Sequence, residues 1–324
     1  MVIKTICILG GTGFVGHSLA ARLVAEGYGV VLITRNRERH RDLLVLPTLK
    51  IIQANVFSAN VLRNVFDDCD AVINLVGILN ESGHNGKGFK RAHVELAELV
   101  VQACQQTGIR HLLHMSALSA SENGPSHYLR TKGKAENLVH KNASANPNNS
   151  LAVTSFRPSV IFGPGDSFIN RFASLLKSMP GFFPLACSGS RLQPIYVEDV
   201  TSIILKCIGN PVAYGKRYNL CGPRAYQLIE ILEFINDQMG LRTRIVGLNN
   251  RLSWLQAAVL EFAWNKPFSI DNYNSLQVNS VCDAAMPAWF GIKPKYMEEI
   301  VPAYLVQDKN EKLSLFRSRA RRPG

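Results

Sequence analysis

Three glycines within seven residues, Gly10, Gly13 and Gly16, restrict this chain more than any other feature in it. They follow the apolar run Ile6-Cys7-Ile8-Leu9 and open an amphipathic segment, His17 to Glu26. The order is strand, glycine turn, helix. One glycine allows a sharp turn, one lets the backbone approach a pyrophosphate, and one lets the helix pack closely on the strand. The N–H groups of Thr12, Phe14 and Val15 belong to the same turn. A helix N-terminus so placed offers free donors and a positive dipole end to phosphates. The expected ligand is a dinucleotide.

Short apolar runs alternate with helical segments through the first half. The runs are 3–9, 29–34, 50–53, 71–76, 111–115 and 151–156; the helical segments are 17–26, 37–46, 59–66, 88–107 and one starting near 125–128. This predicts an α/β fold, a mostly parallel, doubly wound sheet covered on both faces by right-handed crossovers. Residues 1–165 form the dinucleotide-binding domain in this reading. Residues 166–308 form a smaller, interleaved C-terminal substrate lobe, with strands returning to the sheet near 193–197 and 216–221. Residues 309–324 form a basic, solvated and disordered tail.

Composition narrows the setting. No uncharged apolar run approaches the roughly 18 residues of a membrane span, and no basic segment followed by an apolar one marks a secretory signal. The seven cysteines are dispersed and form no C-x-x-C pair, which reads as reduced core thiols of a cytoplasmic protein. The net charge is +12, with Arg35, Arg37, Arg39 and Arg41 in one cluster and Arg317, Arg319, Arg321 and Arg322 in another. Such a surface suits a phosphorylated cofactor or an anionic membrane, and peripheral contact at the inner face of the membrane, or with a membrane complex, follows as an option. No helix-turn-helix, zinc or RNA-binding signature accompanies the charge, so no nucleic acid partner is expected. No spacing of ligands suggests a metal site, and isolated histidines such as His93 and His114 read as structural.

A second constellation is Tyr128-Leu129-Arg130-Thr131-Lys132. Tyrosine and lysine at i and i+4 share a helical face. A nearby ammonium favours the phenolate and lowers the tyrosine pKa, which makes the phenol a usable acid and base for a carbonyl–alcohol interconversion. Strand 111–115 leads into Ser116, which is placed to hold a developing oxyanion; Ser119 is the rival. Either serine could instead be an ordinary turn residue.

Together these residues resemble the short-chain dehydrogenase/reductase superfamily. Asn74-Leu75-Val76-Gly77, the stretch Arg157 to Pro164 and Tyr196-Val197-Glu198-Asp199-Val200 resemble its extended and atypical branches. Within these, the family of the NADPH-binding accessory subunit of respiratory complex I and its bacterial relatives is the nearest likeness. The resemblance implies a Rossmann fold in which Gly10, Gly13 and Gly16 cradle the pyrophosphate, Tyr128 is the acid/base, and Lys132 holds the nicotinamide ribose. Pro158 would border the nicotinamide, and Val76 and Gly77 would let the backbone pass the adenosine ribose. Asn55, with Val56 beside it, stands where many relatives carry Asp; asparagine can still accept from the adenine amino group.

Strand 29–34 ends in Arg35, where an NAD enzyme usually places Asp or Glu for the ribose 2′-OH. Arg35 with Arg37 or Arg39 suits a 2′-phosphate, so NADP(H) is expected over NAD(H). The competing reading has the arginines solvated and Glu38 on the ribose. On the substrate side, 182–185 is one apolar stretch, and 252–264 is another, at helical spacing and with few charges. It could wall a pocket for a quinone-like or isoprenoid substrate or dock on a membrane, but an ordinary buried helix is preferred. The function expected is an NADP-dependent oxidoreductase acting on a hydrophobic carbonyl or alcohol. The alternatives are a non-catalytic NADP(H)-binding accessory or assembly protein and, less favoured, a redox-sensing regulator.

Overall fold

The computed structural model describes residues 3–144, 151–263 and 266–305. The basic tail expected at 309–324 lies outside the described residues, as does Trp264. The strands are β1 (Thr5–Leu9), β2 (Gly29–Thr34), β3 (Leu49–Gln53), β4 (Ala71–Asn74), β5 (His111–Met115), β6 (Ala152–Pro158), β7 (Ile161–Phe162), β8 (Phe182–Leu185), β9 (Arg191–Leu192), β10 (Ile195–Tyr196), β11 (Arg217–Leu220), β12 (Tyr226–Gln227) and β13 (Arg244–Gly247). The helices are α1 (Phe14–Ala25), α2 (Ala59–Phe66), α3 (Lys87–Phe89), α4 (Leu96–Thr107), α5 (His127–Ser144), α6 (Ile169–Ser178), α7 (Val197–Cys207), α8 (Leu228–Gln238), α9 (Asn250–Leu260) and α10 (Ile270–Leu276).

Seven strands form one sheet in the order β11-β6-β5-β4-β1-β2-β3, with every pairing parallel. The sequence of β1 shows how it is covered. Ile6 and Ile8 join one core with Leu19, Ala20 and Leu23 of α1 and Val200, Ile203 and Ile204 of α7. Cys7 and Leu9 join the other with Leu62 and Phe66 of α2, Val100 and Cys104 of α4, and Val139 of α5. Alternate side chains therefore meet opposite helical layers, which is why the run is apolar throughout. The chain winds outward in both directions from β1, and the order reverses between β1 and β4. Ligands of open α/β sheets bind at such a switch point.

Several elements differ from expectation. Residues 37–45 form a 3-10 segment broken at His40 (φ −128°, ψ 41°) rather than an α-helix. A π turn, Lys90–Glu95, links α3 to α4. Of the two strands expected to return to the sheet, only β11 does. β10 pairs instead with β7, because β11 occupies the place beside β6.

A third core, built from Ile169, Ala173 and Leu176 of α6, Leu228, Ile231, Leu232 and Ile235 of α8, and Phe183, Met297 and Val301, underlies the remaining elements. Helix α9 is not an ordinary buried helix: it buries Ser253 and Ala257 and exposes Leu252, Trp254, Leu255 and Val259. The reduced-thiol expectation also needs correction. Cys221 and Cys282 are joined in a disulfide across 61 residues of sequence, and the other five cysteines are thiols. Dispersal in sequence concealed the pair. Ser280 lies beside Leu192, and Gln193 accepts the Cys282 N–H, so 278–283 is brought to the end of β11 by tertiary contacts. The argument from cysteines to a reducing compartment thereby loses its premise. Among the described residues no helix is long and apolar enough to cross a membrane.

Candidate functional site

The site is assembled at the C-terminal edge of the sheet, where β1 and β4 release their chains. Gly10 has φ +76°, and a Cβ there would stand 3.1 Å from both Leu75 C and Val76 N. The end of β4 thus passes directly against the turn. A Cβ at Gly16 would lie 2.4 Å from Gly10 O, so the first turn of α1 packs on the glycine turn itself. Gly13 is the N-cap of α1 and contributes no side-chain acceptor, and the first turn carries no acidic residue. The first intrahelical bond of α1 runs from His17 N to Gly13 O at 2.8 Å, so the N–H groups of Phe14, Val15 and Gly16 precede any intrahelical acceptor. Thr12 and Phe14 are partly exposed beside them.

Arg35 follows β2. Leu9 pairs with Ile33 at the end of the ladder, so Arg35 leaves β2 at the same edge as the glycine turn. Arg35 and Arg37 are exposed and form no ion pair among the described residues. Of the two carboxylates in 37–45, Glu38 is engaged by the Arg41 guanidinium and Asp42 by His17. Asn55 is exposed, but its Oδ1 accepts the Phe57 N–H at 3.0 Å in a local turn, with Val56 partly buried between them. Its amide oxygen is therefore already partly committed.

Gly77, Tyr128 and Lys132 come together below this edge. A Cβ at Gly77 would stand 3.0 Å from Lys132 Nζ, so the missing side chain is what admits the lysine. Lys132 is buried and donates to Met115 O at 2.9 Å. Burial depresses its pKa to about 8, partly offset by Glu136. Tyr128 stands one turn earlier on α5, edge-on to His93 (5.7 Å) and Phe89 (6.2 Å). Burial pushes its phenol up to about 12, opposite to the lowering expected from a lysine neighbour. The physical reason is that desolvation dominates and the lysine proton goes to a backbone carbonyl. Pro158 ends β6, buried, with its carbonyl accepting the Leu118 N–H at 2.9 Å.

Ser116 does not join this group. Its hydroxyl is buried and donates to Glu136 Oε2 at 2.6 Å. Glu136 is fully buried and bridges Arg157 (2.8 Å) and Arg217 (3.2 Å). A proton spent on a buried carboxylate cannot be offered to a substrate carbonyl, so the expected oxyanion role for Ser116 is corrected to a structural one. The rival Ser119, at φ +62°, donates to Asn279 O at 3.2 Å.

Two residues hold the tyrosine in place: His93, which the sequence marks as structural, and Asp271, which it does not single out. His93, in the π turn, accepts the Ile78 N–H at Nε2 (3.3 Å) and bonds Thr131 Oγ1 through Nδ1 (2.9 Å). Burial, with help from the Lys132 charge, drives its pKa down to about 2, so it is neutral. Asp271 of α10 accepts the N–H groups of His127 (2.6 Å) and Tyr128 (3.1 Å), capping α5 from a distant segment. The π turn is a distortion that sequence periodicity does not reveal.

A family model described as the NAD dependent epimerase/dehydratase family matches residues 6–221, from β1 to the end of β11. The chain belongs to that family. Among curated proteins it is 30% identical over 285 residues to the NADH dehydrogenase [ubiquinone] 1 alpha subcomplex subunit 9, mitochondrial, of Arabidopsis thaliana, covering 85% of this chain and 68% of that one. It is 26% identical over 263 residues to a ceramide reductase of Caulobacter vibrioides, covering 80% and 78%. Among solved structures, a UDP-glucose 4-epimerase from Thermotoga maritima aligns with TM-score 0.74 and 16% identity over 96% of this chain and 100% of that one, which shows the shared fold. The family description names NAD; a preference for NADP is not given by it. This epimerase/dehydratase-family chain has its glycine turn, β4 end and Tyr128–Lys132 helix within the matched region.

Proposed function

We propose that this chain is an NADP(H)-dependent oxidoreductase that reduces a hydrophobic carbonyl, with Tyr128 as proton donor. The observation that carries the reading is the convergence of Tyr128 and Lys132 with Gly77 at the edge of the sheet beside the glycine turn. Gly10, Gly13 and Gly16, with the first-turn N–H groups of Phe14 and Val15, would hold the pyrophosphate, and Lys132 the ribose beside Gly77. The turn suits that group, because the first-turn N–H groups of α1 precede any intrahelical acceptor and no acidic residue stands beside them. The bound nicotinamide would supply the hydride. A phenol pushed up to about 12 is protonated at neutral pH, the form required of a proton donor to a developing alkoxide. His93 and Asp271 keep its ring and backbone in register. The ceramide reductase relative supports an apolar substrate.

Arg35, and Arg37 beyond it, would take the 2′-phosphate, since Glu38 is already paired with Arg41. Arg35→Asp should weaken NADPH binding by roughly 30-fold or more while leaving NADH nearly unchanged, as expected for loss of a charge-assisted pair. Calorimetric titration with both nucleotides checks this, and equal losses for the two would remove the NADP assignment. Tyr128→Phe should lower turnover of hydrophobic ketones about 10²- to 10⁴-fold with nucleotide affinity intact. Full activity in that variant would end the proton-donor role.

A second reading is a nucleotide-binding accessory protein, attached peripherally to a membrane or a membrane complex. It is favoured by the commitment of Ser116 to Glu136 and by the relative that is a subunit of NADH dehydrogenase. A tightly held nucleotide that protects against unfolding but is never oxidised by quinones or ketones would select it.

A further inference from the structure

Helix α9 is built inside out for a helix packed on a protein core. On one face Ser253 and Ala257 are fully buried, Ser253 bonding Cys187 N and Leu248 O. The opposite face presents Leu252, Leu255, Val259 and, just past the helix end, Phe262, at 47%, 52%, 63% and 80% exposure. These follow i, i+3, i+7 and i+10, so they form one continuous ridge. Small residues face inward and bulky apolar ones outward. A contiguous exposed apolar surface of this kind marks an interaction site rather than scattered surface leucines.

The exposed charged residues of 242–263 have one sign. Arg242, Arg244 and Arg251 lie exposed at its N-terminal approach, without ion pairs among the described residues. The one acidic residue between 242 and 263 is Glu261, which is engaged by His84, Lys266 and the Ile270 N–H. A second copy of the chain docked through this ridge would offer these arginines no free carboxylate from 242–263, since Glu261 is already engaged. An anionic bilayer instead meets them with opposite charge and the ridge with acyl chains. At 11 residues, α9 is too short to span a bilayer and suited to lie in its surface.

We propose that α9 docks this protein onto an anionic lipid membrane, with Leu252, Leu255, Val259 and Phe262 in the acyl boundary and Arg242, Arg244 and Arg251 on the headgroups. The placement matters for the site. The Phe262 ring lies 5.3 Å from His84 in the loop after β4, and α10, which follows α9, holds the backbone of Tyr128 through Asp271. Docking therefore sets the edge carrying Gly77 and Tyr128 beside the lipid surface, where an apolar substrate is concentrated. The docking itself does not depend on hydride chemistry.

The test is co-sedimentation of the full chain with vesicles of phosphatidylcholine, pure or mixed equally with phosphatidylglycerol. Binding is expected on the anionic vesicles and to weaken with salt. Val259→Glu and Phe262→Glu should each lower affinity about tenfold or more, by placing a charge where apolar area is buried. Arg244→Glu should lower it and flatten the salt dependence. These side chains are exposed, so melting temperature and nucleotide binding should not change, and they serve as the folding control. Ridge variants that bind like the wild type would show that adsorption comes from basic segments elsewhere, and would overturn the proposal. So would absence of vesicle binding, or a wild-type dimer that Val259→Glu converts to monomer.

Discussion

Lys132 is where burial and charge conflict most directly. Its ammonium is almost wholly out of solvent and rests on a single backbone carbonyl, which lowers its pKa from 10.5 to about 8. The depressed value fixes the sign of a pH effect. Below about pH 8 both folded and unfolded chains carry the proton, and the folded state bears the full penalty of a buried charge. Between about 8 and 10.5 the folded state releases its proton first, so the unfolded chain binds more protons and stability rises with pH. The gain is about 3 kcal/mol at most. Other groups titrate in the same range, so the contribution is isolated by difference. Urea denaturation of wild type and Lys132→Met should show the wild type gaining relative to the variant across that window. A flat difference would mean that the ammonium is better solvated than its surroundings indicate. The same burial explains why Tyr128 could be found from sequence but its protonation could not. The i, i+4 spacing is local, whereas the pKa depends on Phe89 and His93, packed against the ring from a segment about 35 residues earlier.

At the scale of elements, the N-terminus of α5 shows how the lobe around α9 and α10 reaches into the site. Asp271 supplies two acceptors to the exposed donors of α5 and a negative charge at its positive dipole end. Asp271→Ala should cost about 1–2 kcal/mol by denaturation and lower kcat for ketone reduction, while leaving NADPH affinity unchanged. Asp271→Asn keeps one acceptor and should restore part of both; a variant that loses nucleotide affinity equally would contradict this positioning role. The contrast with what the sequence shows is instructive. Strands 29–34 and 111–115 and helix 59–66 were legible to the residue, because periodicity and turn residues are local properties. The glycine turn was legible because its steric demand lies within seven residues. Asp271 lies 143 residues from Tyr128, and the carboxylate that engages Ser116 lies 20 residues away and is itself paired with Arg157 and Arg217, so neither could be read from spacing. Helix α9 misled for another reason. Its apolar spacing is genuine, but spacing does not say whether the apolar face meets a core or remains uncovered.

Over the whole molecule, the Cys221–Cys282 disulfide ties the last strand of the sheet to the segment that borders the second lobe. Residues 279–282 are also held by hydrogen bonds: Ser280 N–H donates to Arg191 O at 2.8 Å, Gln193 N–H to Ser280 O at 2.9 Å, Ser159 Oγ to Ser280 O at 2.8 Å, and Cys282 N–H to Gln193 Oε1 at 3.0 Å. Closing a loop of 61 residues removes chain entropy from the unfolded state, by about 2–4 kcal/mol in the usual range for such cross-links. The native contacts of 279–282 do not need the covalent bond, so its loss should act through the unfolded ensemble. Urea unfolding with and without reductant should therefore show a fall in midpoint of that size for the wild type and none for Cys221→Ser/Cys282→Ser. The double variant should match the reduced wild type and retain NADPH binding, because the glycine turn and Lys132 lie in segments that the disulfide does not join. An oxidised wild type no more stable than the double variant would show that the loop is already ordered by its neighbours, and that the bond adds nothing to the fold.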